Sequence, residues 1–208
     1  MIWFTSDWHL GHGRICELAN RPFDDTRTMN HWLIESANRD THPLDTLIFL
    51  GDAAMGTMAE TLPLFKQVHC RLVLKPGNHD RCSPLYEGYT GKPPEKVAAL
   101  VAEWTARYEE VGFEVTDHNS FSNNDYDVWM SHFPYEGDRT AEDRFVAARP
   151  KDKGEWLLHG HTHGLWRQRG KQIDVGVDAW AGRLVSQNMI AGMIHAGPGL
   201  LDALPWAA

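Results

Sequence analysis

Five short segments, scattered from residue 7 to residue 163, each place metal-ligand side chains directly behind an apolar run. They are Asp7-Trp8-His9, Gly51-Asp52, Gly77-Asn78-His79-Asp80, Ser131-His132 and Gly160-His161-Thr162-His163. The runs before them, Ile2–Ser6, Thr46–Leu50, Arg71–Lys75, Asp127–Ser131 and Glu155–His159, read as strands. A strand feeding a polar turn puts these side chains at the carboxyl edge of a sheet, where open α/β sheets bind ligands. The donors are carboxylate and amide oxygens and imidazole nitrogens, a sufficient set for two adjacent metal ions. Thiolates do not contribute: Cys16, Cys70 and Cys82 are widely spaced, form no Cys-x-x-Cys and read as reduced, small interior hydrophobes.

In this order the segments resemble the calcineurin-like metallophosphoesterases. That family's pattern is Asp-x-His, Gly-Asp, Gly-Asn-His-Asp or Gly-Asn-His-Glu, a lone His, then Gly-His-x-His. The opening Phe4-Thr5-Ser6-Asp7-Trp8-His9-Leu10-Gly11-His12, Asn20-Arg21-Pro22-Phe23 and Asp174-Val175-Gly176-Val177-Asp178-Ala179-Trp180 are similar to a narrower branch, the small single-domain phosphoesterases of bacteria and their phages. The resemblance implies an α/β fold, a four-layer α-β-β-α sandwich with the metal site at the sheet edges. It further implies that Asp7, His9, Asp52 and His163 hold one ion and that Asp52, Asn78, His132 and His161 hold the other, with Asp52 bridging. Manganese is the metal it favours; iron, zinc and nickel also suit oxygen and imidazole donors. His79 would face the phosphate and stabilise charge or protonate the leaving oxygen. Asp80 would orient His79 and favour its charged form. His12, in the loop after the first ligand pair, joins Asn78 and His79 as a substrate-binding residue. One departure stands out: family members often carry Gly-Asp-x-x-Asp where this chain has Gly51-Asp52-Ala53-Ala54-Met55.

Strand parity would put Asp7 and His9 on one side and turn Trp8 into packing. Two divalent ions bring four positive charges; Asp7, Asp52 and a bridging hydroxide remove three, leaving one to attract a phosphate. Ions about 3.5–4 Å apart clamp an in-line displacement, and coordination lowers a water's pKa to about 7. The expected reaction is phosphoester hydrolysis by a bimetal-bound hydroxide, with a small phosphodiester such as a cyclic nucleotide as substrate. The alternatives are a nuclease on short or single-stranded nucleic acid, a phosphomonoesterase and, from another class, a non-catalytic metal-binding scaffold. A net charge of -8 argues against an extended nucleic-acid footprint and for a small phosphorylated partner. Oligomeric state is not legible.

A single domain over 1–208 is expected, with 42% hydrophobic residues and no apolar run long enough to cross a bilayer. A strand beginning at Ile2 leaves no room for a signal peptide, so a cytoplasmic location is the default. Helices are expected over His12–Asn20, from Asp25 or Thr26 to Arg39 with Met29, Leu33 and Ala37 inward, over Met58–Val68, and over Glu95–Glu110 with Val97, Leu100, Val101 and Trp104 on one stripe. Further strands are expected at Glu114–Asp117, Gln172–Val175 and Gln187–Ile194. The charged stretch Glu136–Lys153 reads as a solvated loop, with a substrate lid as the rival, and the tail after Gly197 as a surface appendage. Arg14, Arg21, Arg81 and Arg139 flank the motifs and are candidate phosphate contacts. His159 reads as packing or as a support for the ligands, and Trp166 and Trp180 read as packing, with stacking on a base as the rival.

Overall fold

The computed structural model describes residues 1–206. Strands β1 (Ile2–Thr5), β2 (Thr46–Phe49), β3 (Arg71–Leu74) and β4 (Phe113–Val115) pair in parallel. Apolar side chains on both faces suit a sheet covered on both sides. Leu47, Phe49, Leu72 and Leu74 form one face, against Ile15 of α1 (Ile15–Leu18), Met29 and Leu33 of α2 (Thr26–Asp40), Met58 of α3 (Met58–Thr61) and Tyr108 of α4 (Pro94–Glu109). Phe4, Ile48 and Val73 form the other and meet the second sheet through Val128, Met130, Leu158 and Ile173.

That second sheet uses β5 (Ser120–Ser122), β6 (Asp127–Met130), β7 (Leu157–His159), β8 (Gln168–Gly170) and β9 (Gln172–Asp174). The chain then returns to the first sheet as β10 (Val185–Ser186), antiparallel to β1, forms α5 (Gln187–Ala196), and adds β11 (Gly199–Leu201) to the second. The strand orders are β10-β1-β2-β3-β4 and β11-β8-β9-β7-β6-β5. The expected α/β sandwich of two packed sheets with helices is what forms. The five ligand-bearing strands end within one or two residues of the expected positions.

Elsewhere the expectations shift for identifiable reasons. Gln187–Ile194 is helix rather than strand: Ile190, Met193 and Ile194 recur at helical spacing, and the Ser186 hydroxyl accepts from Met189 N (3.2 Å) as an N-cap. The expected helix over Met58–Val68 becomes one α-turn followed by a 3-10 segment, Leu62–Gln67, because Pro63 has no N–H to give an α-helical bond. The first helix shrinks to Ile15–Leu18. In α4 the expected stripe lies half-buried at the edge of the core, and only Tyr108 is fully enclosed. The tail is no appendage: β11 pairs with β8, Leu204 bridges to Trp180, and the Trp206 ring lies 5.9 Å from that of Trp32. No helix among the described residues is long and apolar enough to cross a membrane.

Because Ile190 is fully buried between α5 and the inter-sheet core, Ile190→Ala should lower unfolding free energy by about 2–5 kcal/mol. Urea unfolding followed by circular dichroism reads this; a loss below about 1 kcal/mol would contradict the packing of α5 described here.

Candidate metal centre

The ligand residues leave their strands by bending into the left-handed backbone region. Asp7 (φ 59°), His9 (51°), Asp52 (55°), His161 (70°) and His163 (53°) are five of the eight non-glycine residues with positive φ among those described. Each such residue carries a conformational penalty of about 1–2 kcal/mol, softened because Asp and His adopt this region more readily than most. The strain therefore collects at the site. It also replaces the strand-parity argument: β1 stops at Thr5, and Asp7 and His9 converge through successive left-handed turns. Trp8, between them, is buried against Phe49 and Phe65 as expected.

Backbone bonds knit these turns together: Asp7 N donates to Gly51 O (3.0 Å), His9 N to Asp52 O (3.0 Å) and Gly160 N to His132 O (3.1 Å). A methyl group at Gly77 would enter the Asp52 carboxylate, and one at Gly160 would enter the Ser6 hydroxyl and the Asp7 carboxylate.

Two ligand groups result, Asp7-His9-His163 and Asp7-Asp52-His132. His9 Nε2 lies 3.8 Å from Asp7 Oδ1 and 3.7 Å from Asp52 Oδ2. His132 Nε2 lies 3.3 Å from the same Asp52 oxygen and 3.0 Å from Asn78 Oδ1. Asp52 Oδ2 thus sits between the two groups, while its Oδ1 accepts from His79 N (2.8 Å). His161 stands outside both groups, its Nε2 turned to Asp138 (3.1 Å), with its ring 5.3 Å from that of His132.

Each ligand-type imidazole has one nitrogen committed to the protein. His132 Nδ1 bonds Leu50 O (2.8 Å), His163 Nδ1 bonds Asp178 Oδ2 (2.7 Å), and His9 Nδ1 meets Met55 Sδ (3.2 Å). Such bonds set the tautomer and leave the opposite nitrogen for an ion. Asp7 Oδ1 and His9 Nε2 are buried with no hydrogen-bond partner. An unpaired buried polar group costs about 1–3 kcal/mol, and a cation between these two atoms would satisfy both. The residues present fit the divalent ions. Burial holds His9 well below the usual imidazole range, so it is neutral and available as a ligand.

Asp80 corrects an expectation. Its Oδ2 accepts from Asp52 N (2.7 Å) and Gly77 N (2.9 Å), and its Oδ1 from Ala53 N (3.0 Å) and the Tyr108 hydroxyl (3.1 Å). With its acceptor positions filled by these donors, it makes no hydrogen bond to His79 and instead clamps the Gly51-Asp52 turn to the Gly77-Asn78 turn. The half-buried His79 has its ring 5.5 Å from that of His9, and its Nδ1 is buried and unpartnered. His12 lies at the rim, half-exposed, with its ring 5.9 Å from that of His9.

Arg21, a candidate phosphate contact from sequence, is buried and fully used. It bonds both oxygens of Asp178 (2.8 Å each), Trp8 O (2.8 Å), Asp7 O (2.6 Å) and Met29 Sδ (3.2 Å). Burial opposes the charge on Asp178, but Arg21 and His163 hold its carboxyl well below the usual range. Arg21 and Asp178 therefore fix His163, a role that sequence reasoning missed. The available signal was that both fall in the two segments that mark the narrower branch. The other arginines also have partners: Arg14 pairs with Glu17, Arg81 lies over the Trp104 ring at 4.6 Å, and Arg139 donates to Leu18 O (2.7 Å). His159, Trp166 and Trp180 are buried, as expected for packing.

The family model for calcineurin-like phosphoesterase matches residues 1–165. The chain belongs to the calcineurin-like phosphoesterases. It is similar to the gene 66 protein of Mycobacterium phage L5, 34% identical over 205 residues and covering 93% of each chain. The gene 66 protein of Mycobacterium phage D29 is also 34% identical, over 190 residues, with 86% of this chain and 88% of that one covered. A solved protein of unknown function from Aquifex aeolicus shares the fold, with a TM-score of 0.65 and 21% identity over 93% of this chain and 98% of its own. As a calcineurin-like phosphoesterase, this is a metal-dependent phosphoester hydrolase from a family that uses two metal ions.

Two outcomes follow for the phosphoesterase. Burial works against a charged His132, yet the Asp52 carboxylate raises its pKa to about 9. An ion must displace that proton, so Mn2+ affinity at this position should rise about tenfold per pH unit up to about pH 9 and then level. Calorimetry at several pH values measures this, and pH-independent binding would contradict it. Asp178→Asn should weaken the ion held by His163 about 10–100-fold, read by the same titration.

Proposed function

We propose that this phosphoesterase is a phosphodiesterase for a small substrate, a cyclic nucleotide such as a 2′,3′-cyclic one being the best fit, with manganese as its metal. The observation that carries the reading is how few of the ligands themselves are charged. Asp7 and Asp52 are the only carboxylates in the two ligand groups, and both are buried in a chain of net charge -8. Two divalent ions on those carboxylates would leave a local positive excess inside an acidic protein, suited to a small phosphate anion and poorly suited to a long polyanion.

When bound, the ions supply charge neutralisation for the phosphoryl group and a nucleophile at neutral pH. The chain's own residues do the rest. Asn78 offers its amide oxygen 3.0 Å from His132 Nε2, adding a neutral ligand without further negative charge. His79, carried on the Asp80-clamped turn with its ring 5.5 Å from that of His9, would protonate the leaving oxygen, and His12 at the rim would contact the substrate. The buried Trp8, packed on Phe49 and Phe65, backs the first ligand turn.

Chelator-treated protein should hydrolyse bis(p-nitrophenyl) phosphate only after Mn2+ is added, and 2′,3′-cyclic nucleotides faster than mononucleotides or short oligonucleotides. Turnover confined to monoesters or oligonucleotides would replace the substrate reading. No turnover with manganese, zinc or nickel would favour a metal-binding scaffold. His79→Ala should keep both ions and lose about 10²–10⁴-fold in kcat, whereas Asp52→Asn should lose metal as well. Unchanged turnover in His79→Ala would remove His79 from the reaction.

A further inference from the structure

The segment Glu136–Lys153 leaves the second sheet between two ligand positions and is exposed along much of its length. Its Asp138 is an exception, with a side chain fully shielded from solvent. Carboxylates are almost never enclosed this way unless they are paired. Arg144 approaches Asp138 Oδ1 through Nη2 (2.8 Å), and Arg149 approaches Oδ2 through Nη2 (3.2 Å). Arg144 N adds a further bond to Oδ2 (3.1 Å). Arg149, itself buried, also donates to Gly137 O (3.0 Å) and Arg144 O (2.8 Å), which closes the loop on itself. Among the described residues, the one hydrogen bond Asp138 makes outside its own loop is to His161 Nε2 (3.1 Å). Phe145, at a left-handed φ of 55°, sets its ring 5.0 Å from that of Phe133 and 5.8 Å from that of His161.

We propose that Asp138 is a positioning residue for the second metal position, and that the loop spanning residues 137–149 is part of that position rather than a solvated excursion or a mobile lid. A neutral imidazole has one N–H and one lone pair. With the N–H of His161 held on Nε2 by Asp138, the lone pair lies on Nδ1, the nitrogen left to join the Asp52, Asn78 and His132 donors. His163 is held the opposite way, through Nδ1 by Asp178 under Arg21. The two histidines of one turn thus offer opposite nitrogens, each fixed by a carboxylate that arginine restrains. The two supports differ in construction. Arg21, buried behind the turn after β1, holds Asp178 alone, whereas Asp138 is shared between the buried Arg149 and Arg144, which is 48% exposed.

The inference rests on His161 being a metal ligand, and the test separates the two claims without using turnover. Mn2+ titration by calorimetry should give two ions per chain for the wild type, with the exchange-coupled electron paramagnetic resonance signal of a paired centre. Asp138→Asn should weaken one ion about 10–100-fold and convert the spectrum to that of isolated Mn2+, with the other ion unchanged. Asp143→Asn, which touches Arg149 and Gly137 but not His161, should keep both ions and the paired signal. His161→Ala should lose the same ion as Asp138→Asn. Wild-type binding by Asp138→Asn would overturn the proposal, and loss of the ion in Asp143→Asn would show that loop folding, not the carboxylate contact, is responsible. Retention of both ions by His161→Ala would overturn it at its root, in the ligand assignment.

Discussion

The guanidinium of Arg21 is the contact on which the metal centre depends. Enclosed in the protein, it reaches the carbonyls of Asp7 and Trp8 on one side and the Asp178 carboxylate on the other. A buried charge left without partners destabilises strongly, so this group holds its neighbours as firmly as they hold it. Through it the turn after β1 and the segment after β9 become one rigid unit, and His163 inherits its orientation from that unit. Asp80 does the same for the other turns by collecting amides from Asp52, Ala53 and Gly77. Neither residue enters a ligand group. Both decide where the ligands stand.

The backbone at the ligands is held in conformations that L-residues disfavour, and the sheets make this tolerable. β1, β2 and β3 are packed on both faces, with Phe4 and Ile48 toward one cluster and Leu47 and Phe49 toward the other. Strand ends anchored this well can carry strained turns, and the orphaned Asp7 Oδ1 and His9 Nε2 show the same bargain in polar terms. The protein sets unfavourable geometry and unpaired acceptors where a cation would relieve them. Rigidity of the sheets is thereby converted into affinity for the ions.

Much of this could be read from sequence because the ligands sit in compact turns directly after strands, where a local pattern marks them. The glycines at 51, 77 and 160 belonged to the same pattern, since only a residue without a side chain lets neighbouring carboxylates and imidazoles come so close. What escaped was of two kinds. The apolar residues of α5 read as a strand because a short apolar run does not declare its period until the Ser186 cap is recognised. The supports Arg21–Asp178 and Asp138–His161 escaped because ion pairs leave no periodic trace; the first joins residues 157 positions apart. Asp80 was placed correctly in the motif but given the wrong neighbour, since adjacency to His79 in sequence says nothing about which donors fill its oxygens.

The return of β10 to pair with β1 has a consequence for how the molecule comes into being. The first sheet begins at Ile2 and gains its outer strand only from Val185 and Ser186, which follow the whole second sheet except β11 in chain order. Asp178 precedes that strand by a few residues. His163 therefore cannot be oriented until Asp178 has joined Arg21, 157 positions before it in the sequence. Long-range closure of this kind slows folding. It also means that an early amino-terminal fragment, even one carrying Asp7, His9 and Asp52, lacks the means to hold a metal pair. A paired metal centre needs both ends of this long-range contact in place.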